Sequence, residues 1–349
     1  MTTKVIKISD DDSLFGEKIK EAADIIKQNG LVVFPTETVY GLGADATSNI
    51  AAKKIFEAKG RPSDNPLIIH IANPADAEKY TYTTELYYKL AEAFMPGPLT
   101  VVLKSRESIP KETRGGLDTV AVRCPENRIA RSLISKAGVP IAAPSANLSG
   151  TPSPTSAKHV IDDMLGRVDM ILDGGDASFG LESTIVKIED DKTVTLLRPG
   201  KITYEMLSSV VDNVNIANAV TELLKDGEKA ISPGMKYKHY APKAALILLD
   251  GEIDKAISFI LEDNSLDIAI IAYDEDLEKI KSAIPNAYCY SFGRKSDEEK
   301  QAHELFSILR DTDRHNFDKI YAPLPKSRGI GLALYNRMIR AAAHKIKKL

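Results

Sequence analysis

Six separated stretches of the chain set hydroxyls, amides or cations at the ends of short apolar runs, where α/β proteins commonly meet small ligands. In residues 34–43, FPTETVYGLG, the hydroxyls of Thr36 and Thr38 and the amides of a Gly-rich loop suit a small polar substrate, and they equally suit a capped turn. Gly41-x-Gly43 is no phosphate-loop fingerprint, because a third glycine and a Gly-Lys-Ser/Thr ending are both missing. In KGRPSDNPLIIHI, Lys59 and Arg61 precede an apolar run that carries His70. An Arg fork and a Lys point charge on a proline-set loop suit a polyphosphate, although paired surface cations are more often simply solvated. His70 reads either as a satisfied core histidine or as a substrate contact at a strand end.

In DTVAVRCP, Arg123 closes an apolar run, and a guanidinium there needs an anionic partner, either a protein carboxylate or a substrate. PIAAPSANLSG and the following TPSPTS bring Ser145, Asn147, Ser149 and Ser153 onto a loop of small residues that a ligand can approach closely. GLESTIV, with Ser183 and Thr184, and LLRPG, with Arg198, repeat the theme. No Ser/His/Asp or Cys/His triad, no metal-ligand trio and no singled-out carboxylate pair accompanies them, so covalent and zinc chemistry are disfavoured. The inventory suits chemistry done by positioning and charge neutralisation.

Regular elements must hold these stretches. Apolar residues at Leu14, Ile19, Ala22, Ala23 and Ile26 have helical spacing, closed by Asn29-Gly30, and a buried strand follows over 31–34, ended by Pro35 before a loop containing Gly41 and Gly43. Further helices are expected over 48–58 and 85–94, and strands over 67–71, 99–103, 120–123, 141–143, 170–172, 184–188 and 194–197, a mixed and strand-rich half. Residues 208–243 lose periodicity and contain the Pro- and Gly-punctuated ISPGMKYKHYAP, which reads as an ordered linker. Beyond it, strands over 245–249, 268–272, 287–291 and 320–322 alternate with helices over 253–261, 275–283, 297–309 and 331–343, the pattern of a small, largely parallel three-layer domain.

At 349 residues the chain exceeds the size at which one core usually keeps growing, which agrees with two domains. A formal charge of −3 supplies no global attraction for nucleic acid or anionic lipid, so anionic ligands must be met by local cations. Cys124 and Cys289 stand far apart without ligand spacing, which argues against disulfides and structural zinc and fits a reducing, cytoplasmic setting. The N-terminal residues lack a signal pattern, and no apolar run reaches membrane-spanning length.

Taken in order, PTETVYGLG, KGR, SAN at 145–147, LRPG and SPGMKYKHYAP resemble the Sua5 branch of the YrdC/Sua5 family of threonylcarbamoyl-AMP synthases. The resemblance implies a mixed-sheet YrdC-like catalytic domain over 1–207, a linker over the active site at 208–243, and a smaller Rossmann-like parallel α/β domain over 244–349. It implies synthesis of L-threonylcarbamoyladenylate from L-threonine, bicarbonate and ATP, with pyrophosphate released and the product used to modify adenosine 37 of tRNA. Carried over residue by residue, L-threonine is expected at Thr38, His70, Arg123, Ala143 and Ser183, and ATP at Arg61, Asn65, Thr119, Ser145, Ser153, Arg198 and Tyr237. Lys59, Arg61, Ser145 and Asn147 form the family's Lys-x-Arg and Ser-x-Asn signatures at the phosphates. Mg²⁺ is expected with ATP and not on protein ligands, and a downstream tRNA-modifying complex is the expected partner, with little or no direct tRNA binding. An RNA-binding or nucleotide-sensing module without turnover is the alternative, and Tyr237, Lys238 and His239 are expected to close over the site.

Overall fold

The computed structural model describes residues 2–222, 239–263, 265 and 267–349. The described residues form two compact units, 2–149 with 153–222, and 150–152 with those from 239 onward.

The first unit starts with β1 (Lys4–Lys7), α1 (Phe15–Lys27), β2 (Val32–Phe34), β3 (Gly41–Asp45), α2 (Asn49–Lys59), β4 (Ile68–His70), β5 (Thr81–Tyr82), α3 (Glu85–Phe94) and β6 (Leu99–Ser105). It continues with β7 (Thr119–Arg123), α4 (Arg128–Ala137), β8 (Ile141–Ala142), α5 (Ala157–Met164), β9 (Met170–Asp173), β10 (Thr184–Ile188), β11 (Thr193–Arg198), α6 (Tyr204–Ser208) and β12 (Asn213–Ile216). Side-chain oxygens start several helices: Ser48 accepts from the Ala51 amide and Thr84 from the Tyr87 amide, each satisfying one orphan donor of a first turn. The strands form one mixed sheet in the order β1-β9-β2-β3-β8-β4-β7-β6-β10-β11-β12, with β5 beside β6. Ile19 and Ile26 of α1 and Leu133 and Ile134 of α4 bury their apolar stripes with Val32, Phe34, Met170 and Leu172.

Two expectations change. Gly41 and Gly43, expected in a loop, lie in strand β3, antiparallel to both β2 and β8. Gly43 has no side chain there because a Cβ would sit 2.6 Å from the Phe34 ring and 2.8 Å from Ile141, so this glycine marks close packing and not a turn. The first unit also runs past residue 207, since β12 pairs in parallel with β11 and extends the sheet into the stretch read as linker.

The second unit alternates β13 (Ala245–Asp250), α7 (Ile253–Leu261), β14 (Ile268–Ala272), α8 (Asp274–Ala283), β15 (Tyr288–Ser291), α9 (Glu298–Thr312), β16 (Lys319–Pro323), α10 (Gly329–Ala341) and β17 (Ile346–Lys348). All its strand pairs are parallel, in the order β15-β14-β16-β13-β17. Such strands are covered on both faces, which is why β14 reads as an unbroken apolar run and every one of its residues is buried.

Candidate active site

Strands β4 and β7 lie side by side in parallel, His70 opposite Arg123 and Ile68 opposite Ala121, so each strand end gathers its own set of candidates. At the carboxyl ends stand His70 and Arg123. Because β6 runs antiparallel to β7, it brings Thr100 beside Arg123, and β10 and β11 add Ser183 and Arg198 at the same end. The Thr100 and Ser183 hydroxyls share a hydrogen bond of 2.7 Å, while Arg198 donates from Nε to the Ser183 carbonyl at 3.0 Å and from Nη2 to its hydroxyl at 3.1 Å. Arg198 turns here into Pro199-Gly200, where a Cβ on Gly200 would stand 2.6 Å from the Thr184 amide, so the LRPG turn requires glycine. Ser153 joins this group by donating at 2.6 Å to the carboxylate of Glu182, the residue before Ser183.

The other ends of β4 and β7 carry Asn65, on the loop entering β4, and Thr119, which opens β7. Thr119 and Arg123 are separated by the length of their strand, about 13 Å at 3.3 Å per residue. Arg61, on the same loop as Asn65, donates from Nη2 to the Pro66 carbonyl at 3.2 Å. Since β8 is antiparallel to β4, the chain leaving β8 also arrives at this end: the Ala143 amide bonds Ile68 at 2.9 Å, and Ser145 bridges to Gly41. Ala143, expected with the threonine residues, thus sits two positions along β4 from His70.

Lys59 and Asn147 hold the Ser-x-Asn loop in shape. The ammonium of Lys59, buried at the last turn of α2, donates to the Ser145 carbonyl, to the Asn147 carbonyl at 2.6 Å and to Asn147 Oδ1 at 3.3 Å, while the Ser145 hydroxyl donates to the same Oδ1 at 2.5 Å. Gly60, at φ +61, ends α2 directly after Lys59 and turns the chain toward Arg61. Lys59 therefore acts on the loop that carries Ser145.

Residues 35–40 touch both groups. The Tyr40 carbonyl accepts from Ala146 at 2.8 Å and the Leu42 amide bonds Pro144 at 2.8 Å, while the Glu37 and Thr38 carbonyls accept from the Phe179 and Gly180 amides. Thr38 is fully buried, and its hydroxyl shares a 2.9 Å hydrogen bond with that of Thr36. From this loop Glu37 reaches Arg123 in a buried ion pair of 2.6 Å. The anion that Arg123 required is thus a protein carboxylate. Glu37, Thr100 and Glu182 were missed as site residues, and the signal that would have found Glu37 is the need of one buried cation for one acid.

His70 is neutral. Burial first, and the nearby Arg123 guanidinium second, push its imidazole down to about 3, and the ring packs edge-on against Phe34 with centroids 6.3 Å apart. A neutral ring beside a charged pair can exchange a hydrogen bond with a hydroxyl without adding charge. Tyr237 and Lys238 lie outside the described residues. Among the described residues no cluster of His, Cys, Asp or Glu could hold a metal, and no helix is long and apolar enough to cross a membrane.

The chain is similar to known proteins over nearly its whole length. Residues 24–200 match the Sua5, YciO and YrdC family model, described as telomere recombination, and residues 202–343 match the threonylcarbamoyl-AMP synthase C-terminal domain. Threonylcarbamoyl-AMP synthase of Bacillus subtilis is 41% identical over 98% of this chain and 97% of its own, and that of Pyrococcus abyssi is 44% identical over 95% and 96%. A crystal structure of P. abyssi Sua5 complexed with L-threonine superposes with a TM-score of 0.88 at 41% identity, covering 99% of both chains.

Proposed function

Because the chain belongs to the Sua5/YrdC family of threonylcarbamoyl-AMP synthases, we propose that it joins L-threonine, bicarbonate and ATP into L-threonylcarbamoyladenylate, releasing pyrophosphate in a nucleotidyl transfer. The observation that carries this reading is the division of the site between the two ends of β4 and β7. One end, with His70, Arg123, Thr100 and Ser183, offers hydroxyls, an imidazole and a guanidinium suited to an amino acid, and the P. abyssi relative is known in complex with L-threonine. The other end, with Arg61, Asn65, Thr119 and the Ser145 loop, suits the nucleotide.

The threonine amine and CO₂ from bicarbonate form a carbamate, one oxygen of which attacks the α-phosphorus while pyrophosphate leaves in line. Catalysis of this kind rests on holding three reactants in register and on neutralising the charge of the triphosphate. Arg61 supplies a fixed cation at the nucleotide end, Lys59 keeps the Ser145 loop in place, and Mg²⁺ enters on the nucleotide. Neutral His70 suits the threonine hydroxyl. Discrimination against serine rests on one methyl, worth about 1–3 kcal/mol, so serine is expected to be a poor substrate. The product is a reactive mixed anhydride, consumed by a downstream complex that threonylcarbamoylates adenosine 37 of tRNAs reading codons that begin with A.

Pyrophosphate release by the purified chain with ATP and Mg²⁺, omitting L-threonine or bicarbonate in turn, tests the reading. Release that needs both is the expected result. Release that needs neither, or ATP binding without release, replaces the synthase with a hydrolase or a nucleotide sensor.

A further inference from the structure

The ion pair of Glu37 and Arg123 is incomplete on both sides. Nη2 of Arg123 donates to one Glu37 oxygen at 2.6 Å, and the two side chains are 5% and 9% exposed. Yet Glu37 Oε2 and Arg123 Nε, both buried, have no hydrogen-bond partner among the described residues. Orphaned atoms on buried charged groups are costly, and one on each member of the same ion pair points to a ligand that completes them. An unused carboxylate oxygen beside an unused guanidinium N–H is complementary to a molecule bearing both signs on neighbouring atoms, which is the form of an α-amino acid zwitterion. A divalent cation fits less well, because the adjacent guanidinium repels it.

We infer that Glu37 holds the α-ammonium of the amino acid while Arg123 holds its carboxylate, an inference that rests on the threonine reading above. The backbone keeps Glu37 in place for this role: its carbonyl accepts from Phe179 at 2.9 Å and from the Ser178 hydroxyl at 3.3 Å. Thr36 braces the turn from the other side, its Oγ1 accepting from the Thr38 and Val39 amides at 3.2 Å each. Glu37 then fixes the position of the α-nitrogen and makes the site selective for acids with a free α-amine.

Calorimetric binding of L-threonine and of its 2-hydroxy analogue, 2,3-dihydroxybutanoate of the same configuration, to the full chain tests the inference, with ATP affinity as the folding control. The unaltered chain is expected to prefer threonine. Glu37→Gln keeps an oxygen for Arg123 and removes the charge, so threonine should weaken by about 10- to 100-fold and the hydroxy acid by less than about 3-fold. Glu37→Asp, which keeps the charge on a shorter arm, should lose less threonine affinity than Glu37→Gln, and it serves if the latter does not fold. Equal weakening of both ligands in a variant that binds ATP, or unchanged threonine affinity, overturns the Glu37 assignment alone. An unaltered chain that binds no threonine and releases no pyrophosphate overturns the functional reading, and this assignment with it.

Discussion

A buried imidazole beside a guanidinium has a definite consequence for stability. The folded value of His70, about 3, lies below its unfolded value of 6.5, so as pH falls the unfolded chain takes up the proton first. The native state therefore loses about 1.4 kcal/mol per pH unit from this residue between about pH 6.5 and pH 3. Urea unfolding at pH 7 and pH 5 should show the unaltered chain losing about 2 kcal/mol more than His70→Gln over that interval. Equal losses would mean that the native ring accepts a proton. At this scale the candidates were legible as chemistry, because Arg123 at the end of an apolar run demands an anion and Lys-x-Arg before a strand is suited to phosphate. Which anion Arg123 takes was not legible. Glu37 stands 86 residues away, and no local spacing links the two.

Among the elements, the strands and helices with strong periodicity were readable, and strand β3 was not. Its glycines imitate a loop, whereas their actual cause is the Phe34 ring and Ile141 pressing on the backbone. This makes Gly43 a packing residue. Gly43→Ala should lower stability by about 1–3 kcal/mol, seen as a lower urea midpoint with an unchanged slope, because the Phe34 and Ile141 side chains can shift only partly and the Val32 carbonyl stands 3.1 Å away. A neutral result would show that Phe34 turns aside freely. The antiparallel runs of β8 beside β4 and of β6 beside β7 matter most for function, since they deliver Ser145 to one end of the site and Thr100 to the other. Sequence periodicity identifies a strand without giving its neighbour or its direction.

For the whole molecule, a net charge of −3 spread over 349 residues gives no general field for a polyanion. Fluorescence anisotropy with a tRNA transcript at about 0.15 M salt is expected to show binding no tighter than about 10 µM. Tight, steeply salt-dependent binding would instead reveal a concentrated basic surface. The amino-acid sequence by itself determined a strand-rich mixed first half, a parallel second sheet and the candidate residues at the strand ends, because burial, periodicity and side-chain chemistry are written locally. Only the tertiary structure decided that β12 belongs to the first sheet, that Lys59 acts on the Ser-x-Asn loop, and that Glu37 and Arg123 form a buried pair with one open atom on each side. Each of these depends on strand order and on contacts between distant residues, which become determinate only when the sheet assembles and water leaves the site.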